Sequence, residues 1–298
     1  PLSKVKITNY EVKKVTRWLP NSISRIIESL IPRLFYPDAD ETIVLGDIPL
    51  RGFKQQIVLV HQPNLIKPNI NPYSSSGIGF KVMRRLFELN LRYVKYVVVQ
   101  TDVMKEQLIS SYPILNGSVA VIPQPAPSWF RQVKGGRDYS GSKLTLFYPA
   151  AGYPHKNHQI ISKLLEESEL CVDIEEIIIT LTPEEERLSY SHSKVTCVGR
   201  LSPEICMEYY GKVDALFYPS VAESYGLPLV EAMLSGIPVV CADLPYAHWL
   251  CGDEAIYFDP QDTQSASNGI SILKEKLDLG WRPDWSEALV KLPDTWLE

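Results

Sequence analysis

The densest chemistry in the sequence lies at residues 217–240, FYPSVAESYGLPLVEAMLSGIPVV. An apolar strand ends at Tyr218-Pro219, a loop of Ser, Glu and Gly follows, and a helix opens near Leu227 and Pro228. Proline is tolerated there because the first helical turn offers its N–H no partner. Gly236 closes the helix and Pro238 follows. Glu223, from the loop, and Glu231, one turn into the helix, are therefore expected to address one strand-end cleft. Ser224 and the first N–H groups of the helix, at Tyr225, Gly226 and Leu227, add donors for anions or hydroxyls. Two carboxylates beside such donors suit a ligand with paired hydroxyls and negative charge, since adjacent hydroxyls match a bidentate carboxylate.

Two further groups, Lys156 and His61, could serve the same cleft. Lys156 stands at a helix start in residues 147–158, FYPAAGYPHKNH, a place suited to a pyrophosphate. His61 ends the apolar strand of residues 57–63, IVLVHQP. Gly199, Arg200 and Leu201 form the turn after the strand in residues 195–202, VTCVGRLS. Other motifs read as structural. Asp38-Ala39-Asp40 precedes an apolar strand instead of following one and reads as a turn. His155 and His158 lack a supporting ligand cluster, so no metal site is expected. Thr101 reads as a helix N-cap. No Walker loop or protease triad pattern occurs. The five cysteines include no C-x-x-C pair and sit partly in apolar runs, which reads as buried thiols in a reducing compartment.

The elements that must position these groups alternate between short β-rich runs and amphipathic stretches, the pattern of an α/β protein with parallel sheets. In the first half strands are expected at 5–8, 41–45, 56–60, 96–100 and 119–123, with helices at 22–35, 80–90 and 102–110. Residues 123–142, rich in Pro, Gly and Ser, read as a linker. The alternation then restarts, with strands at 143–148, 175–181, 195–198, 215–218, 238–242 and 255–258 and helices at 157–167, 203–210, 227–235 and 263–277. The division expected is one Rossmann-like domain at 1–140, a second at 141–282, and a helix at 283–298 crossing back towards the first domain. Open parallel sheets bind ligands at the carboxyl ends of their strands, so two facing sheets place the site between the domains.

Residues 217–240 resemble the donor-site signature of the retaining glycosyltransferases of family 4, which have the GT-B fold. Pro219, Ser220, Glu223, Gly226, Leu227, Pro228, Glu231, Ala232, Met233, Gly236, Pro238, Val239 and Val240 all match it. The resemblance covers most of residues 41–280. It implies a nucleotide-diphosphate sugar as co-substrate, with no other cofactor and no metal. Lys156 would bind the diphosphate, His61 would face the donor sugar, and Glu223 would hold sugar hydroxyls beside Ser224, Tyr225, Gly226 and Leu227. Glu231 would hold the ribose, and Gly199, Arg200 and Leu201 the base. It further implies front-face transfer, in which the leaving phosphate takes the acceptor proton. Family members often carry an Arg about five residues before the lysine; Ala151 stands there, which leaves Arg200 as the substitute. The family's glycine-rich opening loop has no counterpart in residues 1–40, so the first β-α unit is expected to be missing or replaced. Gly77 and Gly79 are assigned to a mobile acceptor loop at 64–79.

The net charge of −5 hides an asymmetry. Residues 1–143 carry 20 Lys or Arg against 10 Asp or Glu, whereas residues 144–298 carry 10 against 25. The basic half, with Lys13, Lys14, Arg17, Trp18, Arg25, Arg84, Arg85 and Arg92, suits an anionic membrane surface and a lipid-linked saccharide acceptor. Nucleic acid is not expected, since no recognition motif accompanies the charge. The resulting placement is cytoplasmic, peripheral at the inner face of the membrane. Two other functions use the same cleft: a sugar-nucleotide epimerase, which needs no acceptor, and a non-catalytic sugar-nucleotide-binding module.

Overall fold

The computed structural model describes residues 21–35, 42–126, 139, 141, 143–167, 169–186 and 192–293. The expected strand at 5–8, the Asp38-Ala39-Asp40 turn and most of the linker lie outside these. Two parallel sheets organise the chain, each with its own buried cluster.

The first sheet runs β1 (Ile43–Val44), β2 (Gln56–Leu59), β3 (Val94–Val99), β4 (Val119–Val121) in sequence order. Helices α1 (Asn21–Leu30), α2 (Ile78–Asn90) and α3 (Asp102–Ser111) accompany it. Thr101 caps α3 as expected, its hydroxyl accepting from the Met104 N–H at 3.1 Å. The core here is a compact set around Val58, Phe87, Val97 and Leu108.

The second sheet contains β5 (Leu144–Tyr148), β6 (Ile174–Ile179), β7 (Val195–Cys197), β8 (Ala215–Tyr218), β9 (Val239–Ala242) and β10 (Ile256–Phe258). Their order is β10-β9-β8-β5-β6-β7, so the winding reverses between β5 and β8. The helices are α4 (His158–Glu166), α5 (Pro183–Glu186), α6 (Pro203–Tyr210), α7 (Leu227–Leu234), α8 (Pro245–Cys251), α9 (Thr263–Asp278) and α10 (Ser286–Val290). Every residue of β5, β8 and β9 is buried, as continuous apolar strands covered on both faces should be. Helix α8 had no counterpart among the expected elements; Pro245 opens it one residue after Leu244.

Two expectations need correction. The tail does not cross back over its described residues: Trp285 and Ala288 join the second cluster, and the Trp285 indole donates to the Ile237 carbonyl at 3.0 Å. The segment at 64–79 is tied down instead of loose. Buried Arg84 donates to the carbonyls of Asn64 (2.8 Å) and Ser75 (2.9 Å), and the Ser75 N–H donates to the Asn64 amide oxygen at 2.7 Å. Arg84 is thereby removed from the basic surface to which it had been assigned.

Candidate functional site in the cleft

The winding reversal fixes where a ligand can sit, because the loops leaving β5 and β8 diverge there and open a crevice. Both strands end in the same three residues, Phe147-Tyr148-Pro149 and Phe217-Tyr218-Pro219. The buried tyrosines pack edge to face at 5.6 Å and each turns its hydroxyl into the adjoining loop. Tyr148 donates to the Lys156 carbonyl at 2.6 Å, and Tyr218 donates to the Glu223 carboxylate at 2.7 Å. The proline that follows each tyrosine ends the ladder.

Lys156 and Glu223 meet at this point. The ammonium donates to Glu223 Oε1 at 2.5 Å, and both side chains are largely shielded. Ser220 adds a third donor to the same oxygen at 2.6 Å. Three donors converge on Oε1, while among the described residues none reaches Oε2. The loop between them is braced by the Val221 N–H, which donates to the His155 carbonyl at 2.8 Å, and by Tyr246, which donates to the Ser220 carbonyl at 2.6 Å. Lys156 is delivered by a tight turn whose exit residue, Asn157, is left-handed at φ 55°, and Asn accepts that conformation better than most residues. His155 and His158 lie in the same region. Burial lowers both imidazoles below their usual range, and His158 Nε2 lies 3.0 Å from the Ala151 carbonyl. Among the described residues no group of three or more His, Cys, Asp or Glu could hold a metal ion.

Lys156 and Glu223 open onto a cavity of about 500 Å³, within the usual size of a ligand site. Leu59, His61, Gln100 and Gln124 form its wall on the first sheet's side; Ser224, Tyr225, Gly226, Leu227 and Pro228 form the opposite wall. Gly226 precedes α7 at φ 98°, and a Cβ there would stand 3.2 Å from Leu229, so only glycine fits the turn. The two walls are joined by hydrogen bonds. Thr101 donates to the Ser224 carbonyl at 3.3 Å, and Tyr225 donates to the Gln124 carbonyl at 2.8 Å.

His61 stands at the end of β2 with about half its side chain exposed to the cavity. Asp47, which sequence reasoning missed, holds it from behind. Its Oδ1 accepts from the N–H groups of His61 (2.8 Å) and Gln62 (3.0 Å) and lies 3.4 Å from the imidazole Nδ1. Burial raises the Asp47 carboxyl above its usual value despite these bonds. Its signal in the sequence was weak: an isolated Asp after Gly46, left-handed at φ 68°. Gln100, Gln124, Tyr218 and Ser220 were also not assigned to the site, although Tyr218 and Ser220 belong to the strand-end motif.

Two expected site groups do not line this cavity. Glu231 sits one turn past Leu227 on the same face of α7 and does not line the cavity. Tyr210 of α6 donates to its carboxylate at 3.0 Å, and burial pushes the carboxyl up to about 7. Gly199, Arg200 and Leu201 follow β7, at the sheet edge two strands from β5. Gly199 is left-handed at φ 72°, and Leu201 packs on the core cluster. Arg200 is 77% exposed and lies 4.0 Å from Glu185 Oε1, which accepts from the Gly152 N–H at 3.3 Å next to Ala151; it does not line the cavity.

Residues 137–279 match the model of the family described as glycosyl transferases group 1. The O-antigen chain mannosyltransferase RfbU of Salmonella typhimurium is 27% identical over 240 residues. That match covers 78% of this chain and 64% of RfbU, so the chain spans less than two thirds of that relative. Among solved structures, sucrose-phosphate synthase of Thermosynechococcus elongatus superposes with a TM-score of 0.65 at 13% identity, covering 92% of this chain and 78% of that one. HepE of Anabaena, in complex with UDP and glucose, gives 0.56 at 18% identity, covering 75% and 63%. At such identities the likeness is one of fold, and the fold is GT-B.

Proposed function

We propose that the chain is a retaining glycosyltransferase of family 4 type. It moves a sugar from a nucleotide-diphosphate sugar to a saccharide acceptor in cell-surface polysaccharide synthesis. Residues 1–140 form its acceptor domain and 141–282 its donor domain. The observation that carries this reading is the Lys156–Glu223 pair at the winding reversal, facing His61 across the cavity. The group 1 match over 137–279 supports the reaction class, and the mannosyltransferase relative makes mannose the first sugar to test.

In this reading the Lys156–Glu223 ion pair is exchanged when the donor binds. Lys156 turns to the diphosphate and neutralises the charge that grows on it, with the first amides of α7 beside it. Glu223, released from Lys156 and still held by Tyr218 and Ser220, accepts hydroxyls of the donor sugar. Glu231 accepts the ribose hydroxyls. His61, oriented by Asp47, meets the sugar from the other wall. The bond from the anomeric carbon to the phosphate oxygen breaks, and the bond to the acceptor oxygen forms on the same face. The acceptor hydroxyl proton passes to the departing phosphate. Glu223 is then a positioner, not a nucleophile, and this assignment of charge leaves no step that requires a metal.

Turnover of nucleotide-diphosphate sugars, with product configuration read by NMR, tests the reading. Transfer with retained configuration, undiminished by a chelator, is expected. Inverted product overturns retention. Interconversion of the donor sugar without an acceptor would favour an epimerase, and donor binding without turnover a non-catalytic module.

We also propose peripheral docking on anionic lipid at the cytoplasmic face. The support is the outer stripe of α2, where Ile78, Val82 and Leu89 are exposed beside Lys81 and Arg85. Among the described residues no helix is long and apolar enough to cross a membrane. Flotation with anionic but not neutral liposomes is expected; equal flotation with both would remove the electrostatic part.

A further inference from the structure

The cleft contains a second cavity, of about 210 Å³, and Glu223 is a wall of both. Residues 224–228 of the loop and α7 line the larger one, whereas Val221 and Ala222 line the smaller. The smaller cavity also lies between the two sheets. Residues 70–73 and the α3 side chains Val103 and Gln107 close it from the first, and residues 244–246 at the start of α8 close it from the second.

Its chemistry differs from that of the larger cavity. Glu223 is the one lining residue with a formal charge at neutral pH among the described residues, and no cation faces the space. The rest of the wall is apolar apart from two carboxamides, Asn71 and Gln107, and two phenols, Tyr73 and Tyr246. Tyr246 is fixed by its bond to the Ser220 carbonyl, and the Tyr73 hydroxyl accepts from Gln261 across the cleft at 3.1 Å. Among the described residues the Gln107 side chain has no hydrogen-bond partner, so its carboxamide is available to a ligand. Fixed aromatic rings, apolar side chains and carboxamides match a pyranose, which presents C–H groups on its faces and hydroxyls at its rim. They offer no positive charge to a phosphate, and Glu223 repels one.

We propose that this cavity is the subsite for the terminal sugar of the acceptor, and that the sugar it takes is uncharged. The proposal rests on the glycosyltransferase reading and sharpens it: the acceptor is recognised at this end as a neutral saccharide, not through a phosphate. Glu223, between the two cavities, then stands where donor and acceptor rings meet.

Saturation-transfer NMR on the full chain with a nucleoside diphosphate bound tests it. The probes are methyl glycosides of neutral hexoses and deoxyhexoses, set against hexose 6-phosphates. Wild type is expected to bind at least one neutral glycoside in preference to the phosphates. Gln107→Ala should weaken that binding about fivefold, the value of one hydrogen bond, and Val103→Phe, which fills the cavity, should remove it. Nucleoside diphosphate affinity, measured by calorimetry, should stay within about twofold in both variants and serves as the check on folding. Preference for the phosphates overturns the proposal. So does neutral-glycoside binding that neither variant disturbs, or wild type that binds the nucleoside diphosphate but none of the neutral probes. Wild type that binds no nucleoside diphosphate overturns the underlying glycosyltransferase reading instead.

Discussion

The two sheets differ in how completely they are covered. In the second, β5, β8 and β9 are buried along their whole length. In the first, Ile43, Ile57 and Tyr96 lie side by side across β1, β2 and β3, and all three are exposed. A parallel sheet normally has helices on both faces; the second is covered on both at its centre, while the first leaves one row open among the described residues. The second sheet is a well-packed platform that carries Lys156 and Glu223 on hydrogen-bonded tyrosines. The facing side is a lighter wall that contributes His61.

Core truncation tests this contrast most severely. Phe217, fully buried and stacked on Phe258 at 5.1 Å, should cost about 3–5 kcal/mol as Phe217→Ala. Tyr96→Ser, at a position 45% exposed, should cost under about 1 kcal/mol. Urea unfolding of both variants measures the difference. Comparable losses would mean that the open row is covered in solution.

The next largest effect concerns the two walls of the cavity. Lys156→Ala removes the cation from the buried pair and should lower turnover about 100- to 1,000-fold, the usual result of deleting one charge-stabilising donor. His61→Ala, on the lighter wall, should cost about tenfold, as should Asp47→Asn through loss of imidazole orientation. Initial rates with saturating donor read both. A His61 effect as large as that of Lys156 would place the chemistry on the first wall.

A smaller effect separates Glu231 from the pair. Its carboxyl is pushed up to about 7, above an ordinary value of 4.5, so the folded protein favours the protonated form. The stability this contributes is present below about pH 4.5 and is lost as pH rises through 7. In the proposed role donor binding runs the other way, because ribose hydroxyls would donate to the ionised form. Nucleoside diphosphate affinity should therefore rise up to about tenfold from pH 6 to pH 8, and Glu231→Gln should remove that dependence while weakening binding. A Glu231→Gln profile parallel to wild type would refute the ribose role.

The same contrast explains what could be read from the sequence. The second sheet announces itself because its strands are continuous apolar runs and its loops carry Gly226, Pro228 and Gly236 at fixed offsets. The Lys156–Glu223 meeting was foreshadowed by the motif, but the reason for it was not: Tyr148 and Tyr218 look like ordinary core aromatics until the strand order puts them side by side. Asp47 and Gln124 are reached only through long-range pairing, which no local pattern encodes. Arg84 was misassigned for a physical reason. A basic side chain advertises its charge in sequence, not its direction, and this one is spent on buried carbonyls.

The smallest effect probes the seam between the sheets. Tyr225 is buried, its phenol is raised above its ordinary range by that burial, and its hydroxyl donates to the Gln124 carbonyl at 2.8 Å. Tyr225→Phe keeps the ring and deletes one bond, at a cost of about 0.5–1.5 kcal/mol. If the light wall is held by the platform, the loss should loosen the first sheet alone. Amide exchange should quicken around β4 by roughly 2- to 12-fold while the β5 and β8 amides keep their protection. Equal acceleration in both sheets would make the seam a shared core and erase the difference between platform and wall.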